Sequence, residues 1–289
     1  TTKKKTAKRY PVVKGAHLTV PGQSSQLVKL LDVGKELSKL NRRLYRMGRY
    51  YELSISIDSE GNDKNYTVYT LSDDWMVEKG FKMAYDHFMK ATKEERAALG
   101  TQTARWEDFR VRSGVVHDEL HSTKYDQALN DFVLSQGEFA LTEVTDAAGT
   151  QRVFTWSASP TGTEYGILIE YDKTGNAQST PDSASSTGPQ VAYENLTDDM
   201  DGTQAFDLQS RGNLPPYDQN GVNAGTPWIR VGVLRTGTGG EQRLSTGNFC
   251  APCGLVLITS NSPVDDFGNV AFKVKSGDYK GVHAPSMLE

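Results

Sequence analysis

The stretch Leu37-Ser38-Lys39-Leu40-Asn41-Arg42-Arg43-Leu44-Tyr45-Arg46-Met47-Gly48-Arg49-Tyr50-Tyr51-Glu52-Leu53-Ser54-Ile55-Ser56-Ile57-Asp58 changes its hydrophobic period part-way along. From Ser25 to Met47, Leu27, Leu30, Leu31, Leu37, Leu40, Leu44 and Met47 recur mostly at three- and four-residue steps, which predicts a helix over part of the segment, with Gly34 and Gly48 as breaks. Such a helix would carry Arg42, Arg43, Arg46 and Arg49 at its C-terminal end, where cations suit the dipole. After Gly48 the period is two. Tyr51, Leu53, Ile55 and Ile57 point one way and Glu52, Ser54, Ser56 and Asp58 the other, the pattern of a half-buried strand.

Working downstream, Ser59-Glu60-Gly61-Asn62-Asp63 is turn chemistry and Tyr66–Leu71 is β-prone again, so the two runs are read as an antiparallel hairpin or a longer antiparallel connection. Asp73 or Asp74 caps a helix in which Val77, Phe81, Ala84, Tyr85 and Phe88 share a face, and Thr92-Lys93-Glu94-Glu95 opens a short second helix as a capping box. Further β-prone segments fall near 104–112, 138–145, 151–157, 165–171, 228–235, 253–260 and 269–275, about nine strands in all. Strands and helices do not alternate after residue 100. A mainly β fold is therefore expected, a single jelly-roll antiparallel β-sandwich with short helices in its connections.

Upstream, residues 1–23 combine Lys/Arg with Pro11 and Pro21 and read as a basic N-terminal arm; the sequence opens without an initiator Met, which leaves room for chain before Thr1. Residues 1–50 hold 13 Lys/Arg against Asp32 and Glu36, a net +11, whereas the other residues hold 19 basic and 34 acidic side chains, a net −15. A basic end on an acidic body points to a phosphate-rich partner, because clustered cations release condensed counterions from nucleic acid. The candidate nucleic-acid ligands are Lys3, Lys4, Lys5, Lys8, Arg9 and Lys14 in the arm, with Arg42, Arg43, Arg46 and Arg49. The jelly roll is read over 24–172 and 228–268, interrupted by a polar surface projection at 173–227 and followed by a tail at 269–289.

No motif carries a catalytic constellation, and the chain is not read as an enzyme. Cys250-Ala251-Pro252-Cys253 has redox spacing but leads into a strand instead of opening a helix. His117 and His121 are four apart without the glutamate placement of a metalloprotease, and Thr236-Gly237-Thr238-Gly239-Gly240 lacks the Lys-Ser/Thr of a phosphate loop. No cofactor is expected. Asp198, Asp199 and Asp201 are weak candidates for a structural calcium at a subunit contact. Asn65-Tyr66-Thr67 and Asn195-Leu196-Thr197 match glycosylation acceptors, with little weight in a sequence that opens without a secretion signal. Two cysteines fit a reducing compartment, and no apolar run approaches the ~20 residues of a membrane helix.

The run Leu37–Tyr51 entering its alternating strand, together with Ala251-Pro252-Cys253-Gly254-Leu255-Val256-Leu257-Ile258 and Gly277-Asp278-Tyr279-Lys280-Gly281-Val282-His283-Ala284-Pro285, resembles capsid proteins of bacilladnaviruses and related circular single-stranded DNA viruses. The resemblance implies an eight-stranded jelly roll, an outward projection, and an arm directed at a single-stranded DNA genome. It further implies a homo-oligomeric icosahedral T=3 shell akin to nodavirus shells, located in the virion and assembled in the host cell. The arm here is shorter and less basic than that pattern, which leaves open whether residues upstream complete it or the Arg42–Arg49 cluster shares genome contact. The alternative reading is a glycan- or receptor-binding β-sandwich, with Trp156, Trp228 and Tyr217 as the pocket aromatics to locate.

Overall fold

The computed structural model describes residues 11–20, 27–57, 65–99, 106–115, 118–119, 121–122, 141–172, 227–236, 243–260 and 267–289. Its principal strands are β1 (Gly15–Val20), β2 (Leu27–Asp32), β3 (Tyr50–Ile57), β4 (Asn65–Leu71), β10 (Trp228–Arg235), β11 (Phe249–Pro252), β12 (Leu255–Ser260) and β13 (Phe267–Val274). They form two antiparallel sheets, ordered β11-β3-β13-β1 and β10-β4-β12-β2, with the two-residue strands β5 (Asp118–Glu119) and β6 (His121–Ser122) added beside β2 and β1. Across the sheets β1 pairs with β13, β2 with β12, β3 with β11 and β4 with β10.

The expected strand at Tyr51–Ile57 is present, and its alternation is the alternation of its burial. Tyr51, Leu53, Ile55 and Ile57 enter a core shared with Tyr66 and Val68 of β4, Val256 and Ile258 of β12, and Val270, Phe272 and Val274 of β13. The hairpin reading of β3 and β4 is corrected: they lie in different sheets and face each other across this core. Each strand turns an apolar face to this core, and placing those faces in opposition removes them from water together.

In the second sheet β2, β4 and β12 are buried on both faces. Leu255 and Leu257 point away from the sandwich into a second core, formed with Leu30, Leu71, Phe81, Phe88, Phe109, Phe154 and Trp156. Its outer layer comes from the connection between β4 and β10. That connection holds α2 (Trp75–Ala91), α3 (Lys93–Leu99), α4 (Ile167–Asp172) and a small sheet of β7 (Glu143–Thr145), β8 (Gln151–Thr155) and β9 (Glu164–Gly166). Asp74 caps α2 by accepting from the Val77 N–H at 2.9 Å, and Val77, Phe81, Ala84 and Phe88 are its buried face, as the spacing predicts. The Thr92 hydroxyl donates to the Phe88 carbonyl and accepts from Arg96 Nε, so it closes α2 and no capping box forms.

Five local expectations are revised. The helix read across 25–47 is only α1 (Val33–Asn41); the leucines before it belong to β2, whose two buried faces yield apolar residues at helix-like intervals. Gly34 lies in the first turn of α1, capped by Asp32, and does not break it. The strand read at 165–171 stops at Gly166 and becomes α4, because Ile167 and Leu168 pack against α2 where Gly80 leaves room: a Cβ there would lie 3.1 Å from Ile167 Cγ2. Gly15–Val20, within the span read as arm, is β1 of the first sheet, and residues 269–289, read as a tail, include most of β13 and all of β14 (Ser276–Tyr279). The 173–227 projection falls outside the described residues except for Pro227. No described helix is long and apolar enough to cross a membrane.

Candidate nucleic-acid interface

The loop that leaves α1 gathers the predicted arginines. Helix α1 ends at Asn41, and Arg42 terminates it in the left-handed conformation (φ 50, ψ 42), with its N–H and that of Arg43 donating to the Ser38 carbonyl. The cations therefore follow the helix instead of riding its last turn. Arg42, Arg43 and Arg46 are exposed and Arg49 is half-buried.

Beneath the loop runs a buried ionic chain. Asp32 caps α1 and is ion-paired with Arg110; Arg110 Nη1 stands 3.6 Å from Asp108, which accepts from the Met47 N–H at 2.8 Å and lies 3.8 Å from Arg46. Burial pushes the Asp108 carboxyl up to about 6, outweighing Arg110, the Met47 N–H and Arg46, which act to lower it.

Sequence reasoning missed Tyr279, Lys280 and Gly281. Strand β14 ends in a two-residue turn in which Lys280 (φ 49) and Gly281 (φ 95) both have positive φ and Tyr279 bridges Val282, the form of a type I′ hairpin. The turn is fastened into the arginine loop. Tyr45 Oη donates to the Lys280 carbonyl at 3.0 Å, the Arg46 N–H donates to Tyr279 Oη at 3.1 Å, and the Lys280 ammonium donates to the Leu44 carbonyl. The Arg49 guanidinium lies 3.7 Å from the Tyr279 ring centre, and Lys280 Nζ lies 5.2 Å from the same ring. Burial, and then Arg46, Arg43 and Arg49, hold the Lys280 ammonium below its usual range.

The arm begins at this corner. The Val13 N–H donates to Asn41 Oδ1 at 2.8 Å, and Asn41 Nδ2 donates back to the Val13 carbonyl at 2.9 Å, so the chain before β1 is tied to the last residue of α1. Lys14 donates to Ser276 Oγ at 2.6 Å, at the start of β14. Lys3, Lys4, Lys5, Lys8 and Arg9 lie outside the described residues.

The chain matches no protein-family model, no curated protein and no solved structure.

Other singled-out residues fall elsewhere. Trp156 is 2% exposed, with its ring stacked on Phe81, and Trp228 donates from Nε1 to the Ser113 carbonyl at 3.3 Å; Tyr217 lies outside the described residues. Cys250 is in β11, and Cys253 is the third residue of the turn that begins at Ala251, whose carbonyl accepts from Gly254 N–H at 3.0 Å. Burial pushes the Cys250 thiol up to about 12 and Cys253 well up as well, away from the thiolate a redox pair uses. Asp198, Asp199 and Asp201, His117 and Asn195 lie outside the described residues, as does the side chain of His121; no group of metal-ligating side chains occurs among the described ones.

Proposed function

We propose that this chain is the subunit of a closed viral shell, a single jelly-roll capsid protein that holds a single-stranded DNA genome through its basic corner and is not an enzyme. The jelly-roll reading is supported by the strand pairing: numbered along the chain, the first of the eight principal strands pairs with the last, the second with the seventh, the third with the sixth and the fourth with the fifth. A long antiparallel ribbon rolled into two facing sheets gives that order, an architecture used by capsid and lectin domains. The observation that carries the genome-binding part is the Val13–Asn41 clamp, which starts the basic arm beside Arg42–Arg49. Ten basic residues, Lys3, Lys4, Lys5, Lys8, Arg9, Lys14, Arg42, Arg43, Arg46 and Arg49, then neutralise phosphates without reading base edges.

Assembly is tested by analytical ultracentrifugation of the expressed chain, with residues upstream of Thr1 restored if they exist. A single fast-sedimenting species of shell size supports the proposal; a persistent monomer across salt and pH, with affinity for glycans, replaces it with the binding-module reading.

A further inference from the structure

Among the described residues three non-glycines have positive φ: Arg42, Cys253 and Lys280. Two of them are cations of the same corner. A type I′ turn favours Asn or Gly at the position Lys280 occupies, and a lysine there costs backbone strain that no feature of the turn itself requires. The strain keeps an ammonium beside Leu44, between the Tyr45 and Tyr279 rings.

Neighbouring cations differ in how their charge is met. Arg46 has Asp108 at 3.8 Å. Arg49 donates to the Ala284 carbonyl at 2.9 Å and stacks on Tyr279, and Lys280 donates to the Leu44 carbonyl; among the described residues neither forms an ion pair with a carboxylate. Carbonyls and ring faces fix a cation in place without cancelling its charge, and an ammonium with one donor used has two left. Both side chains are half-buried, so their electrostatic attraction for an anion is less screened than that of a fully solvated side chain.

We infer that the Tyr279-Lys280-Gly281 turn is a preformed phosphate clamp, in which Lys280 and Arg49, both held against the Tyr279 ring, bind the phosphate backbone of single-stranded nucleic acid. The clamp rests on the reading of this corner as a nucleic-acid interface and adds to it a fixed contact outside the basic arm. An anion there also favours the charged form of Lys280 that burial and the three arginines disfavour.

The test is fluorescence anisotropy of a short oligo-dT with the full chain over a range of salt concentrations, for wild type, Lys280→Asn and Lys280→Arg. Asn suits the turn, so Lys280→Asn is expected to melt no lower than wild type, to bind about threefold or more weakly at low salt, and to lose about 0.7 from the logarithmic salt slope. Lys280→Arg keeps the charge and is expected to retain the affinity. Equal affinity and slope for wild type and Lys280→Asn overturns the clamp while leaving the arm and the shell standing, as does an equal loss in Lys280→Asn and Lys280→Arg. A wild-type chain that binds no oligo-dT at low salt overturns the clamp and the genome-binding reading together.

Discussion

A methyl group at Gly254 would lie 2.9 Å from the Tyr51 ring and 3.3 Å from Val33 Cβ, on a backbone whose φ is +67. Gly254→Ala is therefore expected to lower stability by about 2 kcal/mol or more, read as a shift in urea midpoint; an unchanged midpoint would mean that the Cys253–Gly254 corner yields without cost. Asp108 gives a prediction in pH. Its carboxyl is held at about 6 when folded and titrates near its ordinary value of 3.8 when unfolded, so the folded state binds its proton more tightly. The resulting stabilisation is complete below about pH 4 and is lost as pH rises through about 6. Asp108→Asn, which keeps an acceptor for the Met47 N–H, is expected to flatten that part of the stability profile; the same slope in both proteins would place the titration elsewhere. At this scale the sequence yielded the arginines but not Lys280 or Tyr279. The bond from Tyr45 to the Lys280 carbonyl spans 235 residues, and no local pattern marks a lysine as the partner of a loop that distant.

Helix α2 and strand β3 were legible because each buries one face, and one-faced burial writes its period into the sequence. Strand β2 was not, because its flanks are buried on both sides and its leucines fall at helical intervals by coincidence of composition. The short α4 was hidden for a different reason: Ile167-Leu168-Ile169 has strand-like residues, and only contact with Gly80 and the rest of α2 makes it helical. The partnership of β3 with β11 and β13, in place of β4, is likewise set by tertiary packing. Phe81 joins these layers. It is 1% exposed, packs edge-on to Phe109 at 5.4 Å between ring centres, and covers Gly48 at the arginine loop. Phe81→Ala is expected to cost about 3–5 kcal/mol in chemical denaturation. A cost below about 1 kcal/mol would mean that the β4–β10 connection is not a cooperative part of the fold.

Across the whole molecule the charge is divided as the chain is divided, with +11 in the first 50 residues and −15 in the rest. In a closed shell all basic corners can turn inward toward one polyanion while the acidic remainder faces neighbours and solvent, and the phosphate contacts of many copies then add. Asn41 fixes where the arm joins the corner. Asn41→Ala, which removes both bonds to Val13, is expected to weaken oligo-dT binding without changing its indifference to base sequence, measured by competition between unlike oligonucleotides; a strong preference for one sequence at physiological salt would contradict the backbone-only mechanism. The most direct measurement is electron microscopy of the expressed protein with the absorbance ratio at 260 and 280 nm of whatever particles form. Uniform closed shells with a raised ratio are the expected result, and monomers or irregular aggregates free of nucleic acid at every salt and pH tried would contradict the assignment of this chain as a genome-holding shell subunit.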